Sequence, residues 1–322
     1  MRTLSRIFVV ILTVITVLIY IIPANAADYI KWVDFTPTAE AIWDAMEIDR
    51  ENHENGSNMP FTSLLALYSA EHGGDYKKYK KGDMKKLADI CGEDDPSLHA
   101  TNGKLYEYYE ECYIAALSGI FGEYVKYTET NGVITEEKGY GLCGFSPVAS
   151  GYYYNHYDDF GASRSYGYKR NHLGHDLMGS VGTPIVAVEA GYVEACGWNR
   201  FGGWRIGIRS FDGKRYYYYA HLRRDHPYND IYEGKIVGAG EVIGYLGMTG
   251  YSSKENTNNI DTPHLHYGLQ LIFDKSQKDG TNQIWLDMYE LTDLLYKNSA
   301  TVVTDEKEKR SLCVMYPDGM WD

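Results

Sequence analysis

The segment WRIGIRSFDGKRYYYYAHL, residues 204–222, contains two runs rich in isoleucine and tyrosine on either side of Asp212-Gly213. Branched and aromatic residues favour extended strands. An Asp-Gly pair between two such runs is a strong signal for a tight β-hairpin. The segment therefore predicts two antiparallel strands joined by a turn at residues 212 and 213.

The same character continues on both sides of this hairpin, from about residue 144 to residue 272. Short runs rich in Val, Ile and Tyr alternate there with glycine turns, as in TPIVAVEAGYVEACGW (183–198), GKIVGAGEVIGYLGMTG (234–250) and PHLHYGLQLIF (263–273). This pattern is typical of antiparallel β architecture. We therefore predict a β-rich domain over residues 144–298, which ends in an amphipathic helix within 283–297 and is followed by a tail at 299–322.

Residues 27–125 show helical periodicity instead. The first helix is predicted to begin with Thr36 as N-cap and Pro37 at the first helical position, and the second to end at Gly73-Gly74. Two further helices are expected within GDMKKLADIC (82–91) and LYEYYEECYIAALSGIFGEY (105–124). A polar, glycine-rich linker is expected at 126–143. The predicted fold class is α+β multidomain, with a small helical N-terminal domain followed by the antiparallel β-rich domain.

The N-terminal segment has the features of an export signal. Arg2 and Arg6 precede the apolar run IFVVILTVITVLIYII (7–22), and the small residues Ala24 and Ala26 follow it. This arrangement predicts a secretory signal over residues 1–26, with cleavage after Ala26. The alternative is an uncleaved membrane anchor, since the run is close to the lower length limit for a membrane span. Both interpretations place the rest of the chain outside the cytoplasm.

Composition limits the class of protein further. A chain of 322 residues that is 44% hydrophobic can bury at least one sizeable core, and its length favours two domains. The formal net charge of -13 argues against an electrostatic nucleic-acid binder, which requires a basic face. The cysteines form no CxxC pair, so the sequence indicates neither a disulfide scaffold nor a cysteine-zinc site. They are Cys91, Cys112, Cys143, Cys196 and Cys313.

Histidines of the β-rich region occur in patterns suited to chemistry. His172 and Asp176 lie four residues apart in NHLGHDLMG, His221 ends the tyrosine-rich run, and His264 and His266 form an H-x-H sequence. In a strand, side chains at i and i+2 share one face and lie about 6.5–7 Å apart along the chain. That spacing allows one imidazole to bind a metal while the other reaches a bound water or a substrate.

A catalytic zinc requires three protein ligands and one open position for water. His172, Asp176 and one histidine of the H-x-H pair meet this requirement, and such a site keeps a net positive charge that makes it a strong Lewis acid. The chain contains no HExxH sequence to supply a glutamate base. The two remaining histidines are therefore the candidates for proton transfer.

Each of these patterns is weak by itself, and the prediction depends on their combination in one β-rich exported domain. The other histidines have no ligand-like spacing, and we expect them to be structural or surface residues. They are His53, His72, His99, His156, His175 and His226.

Five segments together resemble the lysostaphin/LytM-type zinc metallopeptidases: HLGHD (172–176), VGTPIVAVEAGYV (181–193), YAHL (219–222), VGAGEVIGYLGMTG (237–250) and PHLHYGL (263–269). The resemblance covers roughly residues 144–275, in the order of the family's motifs. It implies one Zn²⁺ per chain, held by His172, Asp176 and His266, with His221 and His264 as the catalytic histidines. The helical region has no counterpart in the best-known members of this family.

The resemblance implies a zinc metalloendopeptidase that cuts the peptide part of peptidoglycan, in the stem or in the cross-bridge, outside the cytoplasm. The alternative is a wall-binding or partner-binding module in an envelope assembly that keeps the zinc site and does not cut. A third hypothesis is a glycan hydrolase that uses paired carboxylates among Asp158, Asp159 and Glu189. It leaves the histidines unexplained. Which histidine acts as the general base is left open by the sequence.

Overall fold

A computed structural model describes residues 29–165, 169–280, 282–306 and 308–320. The chain divides into two compact units, residues 1–32 and 33–322. The predicted export signal at 1–26 lies outside the described residues. Within the described ranges, every helix is too short or too polar to cross a bilayer.

Helices dominate the first part of the larger unit. They are α1 (Ala39–Glu54), α2 (Phe61–His72), α3 (Asp83–Cys91), a short 3₁₀ helix (Pro96–His99) and α4 (Gly103–Leu117).

The predicted start of the first helix is wrong by two residues. Thr38 is the N-cap of α1, and its hydroxyl accepts a hydrogen bond from the backbone N–H of Ala41. The hydroxyl of Thr36 instead donates to the backbone oxygen of Gly74, 2.5 Å away, and is therefore not used as a cap. The end of α2 is confirmed, because Gly73 adopts the left-handed conformation that closes a helix.

The region 126–143, expected as a linker, lies almost entirely in a β-hairpin. Strand β1 (Phe121–Thr130) pairs with β2 (Val133–Leu142), and the turn between them has positive φ at both Asn131 and Gly132. An Asn-Gly pair favours this type of turn. The last predicted helix of the N-terminal region is shorter than expected because the chain leaves α4 after Leu117 and enters β1.

The second part of the larger unit is built from short strands. They are β3 (Asn155–His156), β4 (Ser163–Ser165), β5 (Lys169–Asn171), β6 (His175–Met178), β7 (Pro184–Val186), β8 (Gly191–Asn199), β9 (Gly203–Ser210), β10 (Arg215–Ala220), β11 (Ile236–Val237), β12 (Val242–Tyr245) and β13 (His264–Leu271). The predicted hairpin is confirmed as β9 and β10, with Gly213 at φ +74° in the turn.

The C-terminal part contains less helix than predicted. It forms α5 (Ser276–Asp279), β14 (Ile284–Leu286), α6 (Tyr289–Leu295), β15 (Val302–Asp305), β16 (Glu308–Ser311) and β17 (Cys313–Pro317). The predicted helix within 283–297 is thus divided between a strand, β14, and the short helix α6. The expected tail contains three strands, and β17 pairs with β1.

The main sheet has eight strands and is antiparallel at every described pairing. Its order is β11-β8-β9-β10-β13-β6-β3, and β14 also pairs with β13. Three of the tyrosines, Tyr217, Tyr219 and Tyr267, are fully buried on the core face of this sheet. Strand β13, which carries the H-x-H sequence, therefore lies inside the sheet between β10 and β6.

Candidate active site

Strand register brings most of the predicted site residues together. His266 on β13 lies directly opposite Asp176 on β6 and, on its other side, opposite Ala220, the last residue of β10. His221 follows Ala220 and so reaches the same end of the sheet. His264 shares the face of His266, whereas Leu265 between them is fully buried on the core side, as predicted.

A loop rather than the sheet positions His172. Its backbone N–H donates to the oxygen of Ala162, 2.9 Å away. Gly174, two residues later, allows the loop to pass close to β13. A Cβ at this position would lie 2.7 Å from the backbone oxygen of Tyr267 and 2.8 Å from the His266 ring. The glycine of the H-x-G-x-D sequence is therefore required by the close approach of loop and strand.

His172, Asp176 and His266 converge on one point. The distances are 2.9 Å between His172 Nε2 and His266 Nδ1, 3.1 Å between His172 Nε2 and Asp176 Oδ1, and 3.2 Å between His266 Nδ1 and Asp176 Oδ1. They form the one group of potential metal ligands found among the described residues. Tetrahedral zinc with bonds of about 2.0–2.1 Å separates its ligand atoms by about 3.4 Å, so this donor set fits the ion after a small expansion.

The protonation states of this group suit metal binding. Burial raises the pKa of Asp176, but hydrogen bonds from His172 and His266 outweigh burial and hold that pKa well below its usual range. Burial lowers the pKa of His266, although Asp176 acts in the opposite direction. Asp176 is therefore ionised and His266 neutral near pH 7, and these are the forms that coordinate a metal.

Two residues that the sequence did not single out as part of this group support it. The Nδ1–H of His172 donates to the backbone oxygen of Asp159 at 3.1 Å and lies 3.2 Å from that residue's carboxylate. Arg164 Nη2 donates to Asp176 Oδ2 at 3.1 Å and to Asp159 Oδ2 at 2.6 Å. These contacts orient the ligands and leave His172 Nε2 and Asp176 Oδ1 free for a metal. Asp159 lies in irregular chain and Arg164 on the short strand β4, and neither belongs to a spaced motif, so no residue spacing could have identified these contacts.

His221 and His264 lie beside this group, with ring centroids 4.8 Å apart. The Nδ1–H of His221 donates to the backbone oxygen of Thr249 at 2.9 Å, and that of His264 donates to Thr262 at 2.8 Å. Each ring therefore carries its proton on Nδ1 and keeps Nε2 as a proton acceptor. Burial, followed by the two neighbouring imidazoles, holds the pKa of His221 well below its usual value, so this ring is neutral at pH 7.

The backbone at His221 is strained. Its φ is +63°, a left-handed conformation that non-glycine residues rarely adopt and that costs on the order of 1–3 kcal/mol. The surrounding structure imposes it: the N–H of His221 donates to Gly202 at 2.8 Å, and the next residue accepts from the hydroxyl of Thr249 at 2.6 Å. Strain maintained in this way is typical of functional positions.

All five predicted site residues line one open cavity of about 250 Å³, together with Arg164, Arg170, Tyr218 and Tyr251. A second cavity of about 590 Å³ shares Arg170, Tyr218 and His266 with the first. The site is therefore part of a longer groove rather than an isolated pocket.

The histidines of the β-rich region that we expected to be structural or surface residues do not line this cavity. His175 is fully buried and hydrogen-bonded to Asp287, while His226 pairs with Glu308. The glycan-hydrolase hypothesis loses one of its carboxylates, because Glu189 is 5% exposed and its two oxygens bind the guanidinium of Arg215.

Comparison with known proteins finds a family match for part of the chain. Residues 170–280 match the model of peptidase family M23. The L-Ala--D-Glu endopeptidase of Bacillus subtilis is 38% identical over 152 residues, which are 47% of this chain and 44% of that protein. Lysostaphin of Staphylococcus simulans is 37% identical over 97 residues, which are 30% of this chain and 17% of that protein. The chain thus covers less than half the length of each relative.

A LytM crystal structure from Ruminococcus gnavus has the same fold. The two superpose with a TM-score of 0.55 at 22% identity, over 84% of this chain and 94% of that one. The superposition covers 84% of the 322 residues, whereas the family match covers only residues 170–280. The shared fold therefore extends well beyond the family match.

Proposed function

We propose that the part of the chain that matches peptidase family M23, residues 170–280, makes it a zinc-dependent endopeptidase acting on peptidoglycan. The bonds cut would lie in the peptide stem or in the cross-bridge, and the protein would act outside the cytoplasm. The observation that carries this proposal is the convergence of His172, Asp176 and His266 beside two proton-accepting histidines in one groove.

In this proposal His172 Nε2, Asp176 Oδ1 and His266 Nδ1 would hold the zinc ion. A bound Zn²⁺ at this position supplies Lewis acidity, which lowers the pKa of a water and polarises a carbonyl group. Arg164 and Asp159 keep the ligand side chains oriented.

His221 and His264 manage the protons. In each ring the Nδ1–H is committed to a backbone oxygen, which leaves Nε2 as the nitrogen available for proton transfer. One imidazole accepts the proton of the attacking water, and the other stabilises the developing oxyanion or protonates the leaving amine. The low pKa of His221 keeps that ring in its basic form at neutral pH.

Purified cell walls of known cross-link type test this function. Incubation with the zinc-loaded protein should release soluble peptide fragments, and mass analysis of the fragments identifies the bond cut. A chelator should stop release, and added Zn²⁺ should restore it. His156→Ala, which replaces a histidine outside the cavity, provides the matched control and should release fragments normally.

The binding module considered above is the competing outcome. A protein that holds one zinc ion per chain and sediments with walls, yet releases no fragments from walls of several cross-link types, would overturn the enzymatic proposal.

A further inference from the structure

The second cavity of the groove lies on the far side of His266 from the proton-accepting histidines. It has a volume of about 590 Å³ and shares Arg170, Tyr218 and His266 with the cavity of the metal ligands. The ring of Tyr218 stands edge-on to both His266 and Trp285, with centroid distances of 5.9 and 6.3 Å. A peptide with its scissile bond at the proposed metal ligands therefore has an open path into this cavity.

The walls of the cavity are cationic in a chain whose net charge is -13. Arg170, Arg205 and Lys278 line it, against one acidic residue among the described lining residues, the exposed Asp279. The charge of Lys278 is balanced by Glu194, whose carboxylate lies 2.7 Å from Lys278 Nζ. Glu194 also forms an ion pair with Arg209, which lies outside the cavity. The local excess of positive charge comes from the two arginines.

Neither arginine is neutralised within the described part of the chain. Among the described residues, no carboxylate oxygen lies within 4.0 Å of a guanidinium nitrogen of Arg170 or Arg205. Arg170 is held in place by the rings of Phe201 and Tyr251, 5.8 and 5.3 Å from its guanidinium carbon. Its Nε is buried and has no hydrogen-bond acceptor among the described residues. The guanidinium of Arg170 is thus fixed by ring contacts, and no carboxylate of the described residues balances its charge.

We propose that this cavity is a carboxylate-binding subsite, in which Arg170 and Arg205 bind a free carboxylate of the residue flanking the scissile bond. This inference rests on the proposed function and names its substrate class: an anionic stem peptide that contains an acidic residue such as D-Glu, in preference to an uncharged glycine bridge. Arginine suits this task because its planar fork matches the two oxygens of a carboxylate.

The subsite discriminates by charge. A carboxylate and a carboxamide have nearly the same shape, but the carboxamide carries no charge and presents an N–H₂ group to the guanidinium donors. In a partly enclosed cavity this difference should be worth roughly tenfold or more in kcat/KM. The preference should also shrink as salt concentration rises, because ions screen the arginines.

A matched pair of synthetic peptides tests the subsite. Both contain an L-Ala–D-Glu bond; in one the D-Glu carboxylate is free, and in the other it is a carboxamide. The wild-type, zinc-loaded protein should cleave the free-carboxylate peptide roughly tenfold faster or more. Arg205→Gln should reduce this ratio towards one, and Arg205→Lys should keep an intermediate ratio. Arg224→Gln removes the same charge from an exposed arginine outside the cavity and should leave the ratio unchanged.

Binding of the same two peptides, measured by calorimetry, separates the possible failures. Equal cleavage of both peptides by the wild type would overturn the subsite while the proposed function stands. If neither peptide is cut but the free-carboxylate peptide binds roughly tenfold tighter, the subsite stands and the proposed function fails at this bond. Equal binding without cleavage would overturn the subsite.

Discussion

His264 and His266 differ in the nitrogen that each leaves available. His266 points Nδ1 at His172 and Asp176, whereas His264 donates its Nδ1–H to Thr262 and keeps Nε2. The two imidazoles lie on one strand face, but their hydrogen bonds leave different ring nitrogens available. The sequence identifies both residues by their spacing, but the choice of nitrogen depends on backbone oxygens that no motif encodes.

Loss of a metal ligand and loss of a proton acceptor should be separable. We predict that His172→Ala or Asp176→Ala binds no zinc and releases no wall fragments, since each removes one of three ligands. His221→Ala should retain one zinc ion per chain and lose turnover by roughly a hundredfold or more. Metal analysis of the purified proteins, paired with the wall assay, measures both properties.

The matched control for this series is His156→Ala, which should keep both zinc and activity. Its side chain is 7% exposed and pairs with Asp293 rather than with the ligand group. A metal-free His221→Ala protein would contradict the assignment of roles, because it would make His221 a ligand.

At the scale of single elements, a buried ion pair connects strand β10 to the chain between β7 and β8. Arg215, the first residue of β10, binds both oxygens of Glu189 at 2.8 and 3.1 Å, and Tyr217 donates to the same carboxylate at 2.9 Å. Gly119 packs so closely against this pair that a Cβ there would lie 1.9 Å from Glu189. Glu189 therefore links the connection between β7 and β8 to strand β10.

Breaking this pair should destabilise the protein without touching the metal site. Glu189→Ala leaves the guanidinium of Arg215, which is 3% exposed, without its main partner, and this should lower the free energy of unfolding by about 3–5 kcal/mol. Tyr217→Phe removes one hydrogen bond and should cost about 1 kcal/mol. Urea denaturation measures both changes; equal effects from the two variants would contradict the ion pair's importance.

Local signals explain which elements could be predicted. Asp212-Gly213 marked the β9–β10 hairpin because it lies between two obviously β-rich runs. Asn131-Gly132 is an equally good turn signal, but β2 is largely exposed and rich in charged residues, so its sequence does not reveal a strand. Strand β17 depends on pairing with β1, almost two hundred residues away in the sequence, and no local pattern reports such a contact.

At the scale of the whole molecule, the structure brings the predicted site residues together in one cavity, and their roles there stay a prediction. H-x-x-x-D, a histidine after a strand and H-x-H fall on three neighbouring strands or their ends, so chain order determines that they meet. The division into a helical domain at 27–125 and a β-rich domain at 144–298 remains a prediction. Residues 33–322 form one compact unit.

Specific contacts join the helices to the β-rich part. Arg215 Nη1 donates to the backbone oxygen of Ala115 near the end of α4, 2.7 Å away. Glu290 on α6 accepts from the backbone N–H of Ala39 at the start of α1, also at 2.7 Å. The unpaired groups at two helix ends are thus satisfied by residues of the other part, which favours unfolding of both parts together.

Denaturation of the zinc-loaded protein decides whether the two parts are coupled. The helical circular-dichroism signal and the tryptophan fluorescence should change at the same denaturant concentration. Glu290→Ala should lower both midpoints together, by the equivalent of about 1 kcal/mol, since it removes an anionic partner from a helix N-terminus. Glu107→Ala, at an exposed position of α4, should leave them unchanged. Loss of the helical signal at a lower concentration, with Glu290→Ala shifting that transition alone, would show instead that the helices form an independent domain.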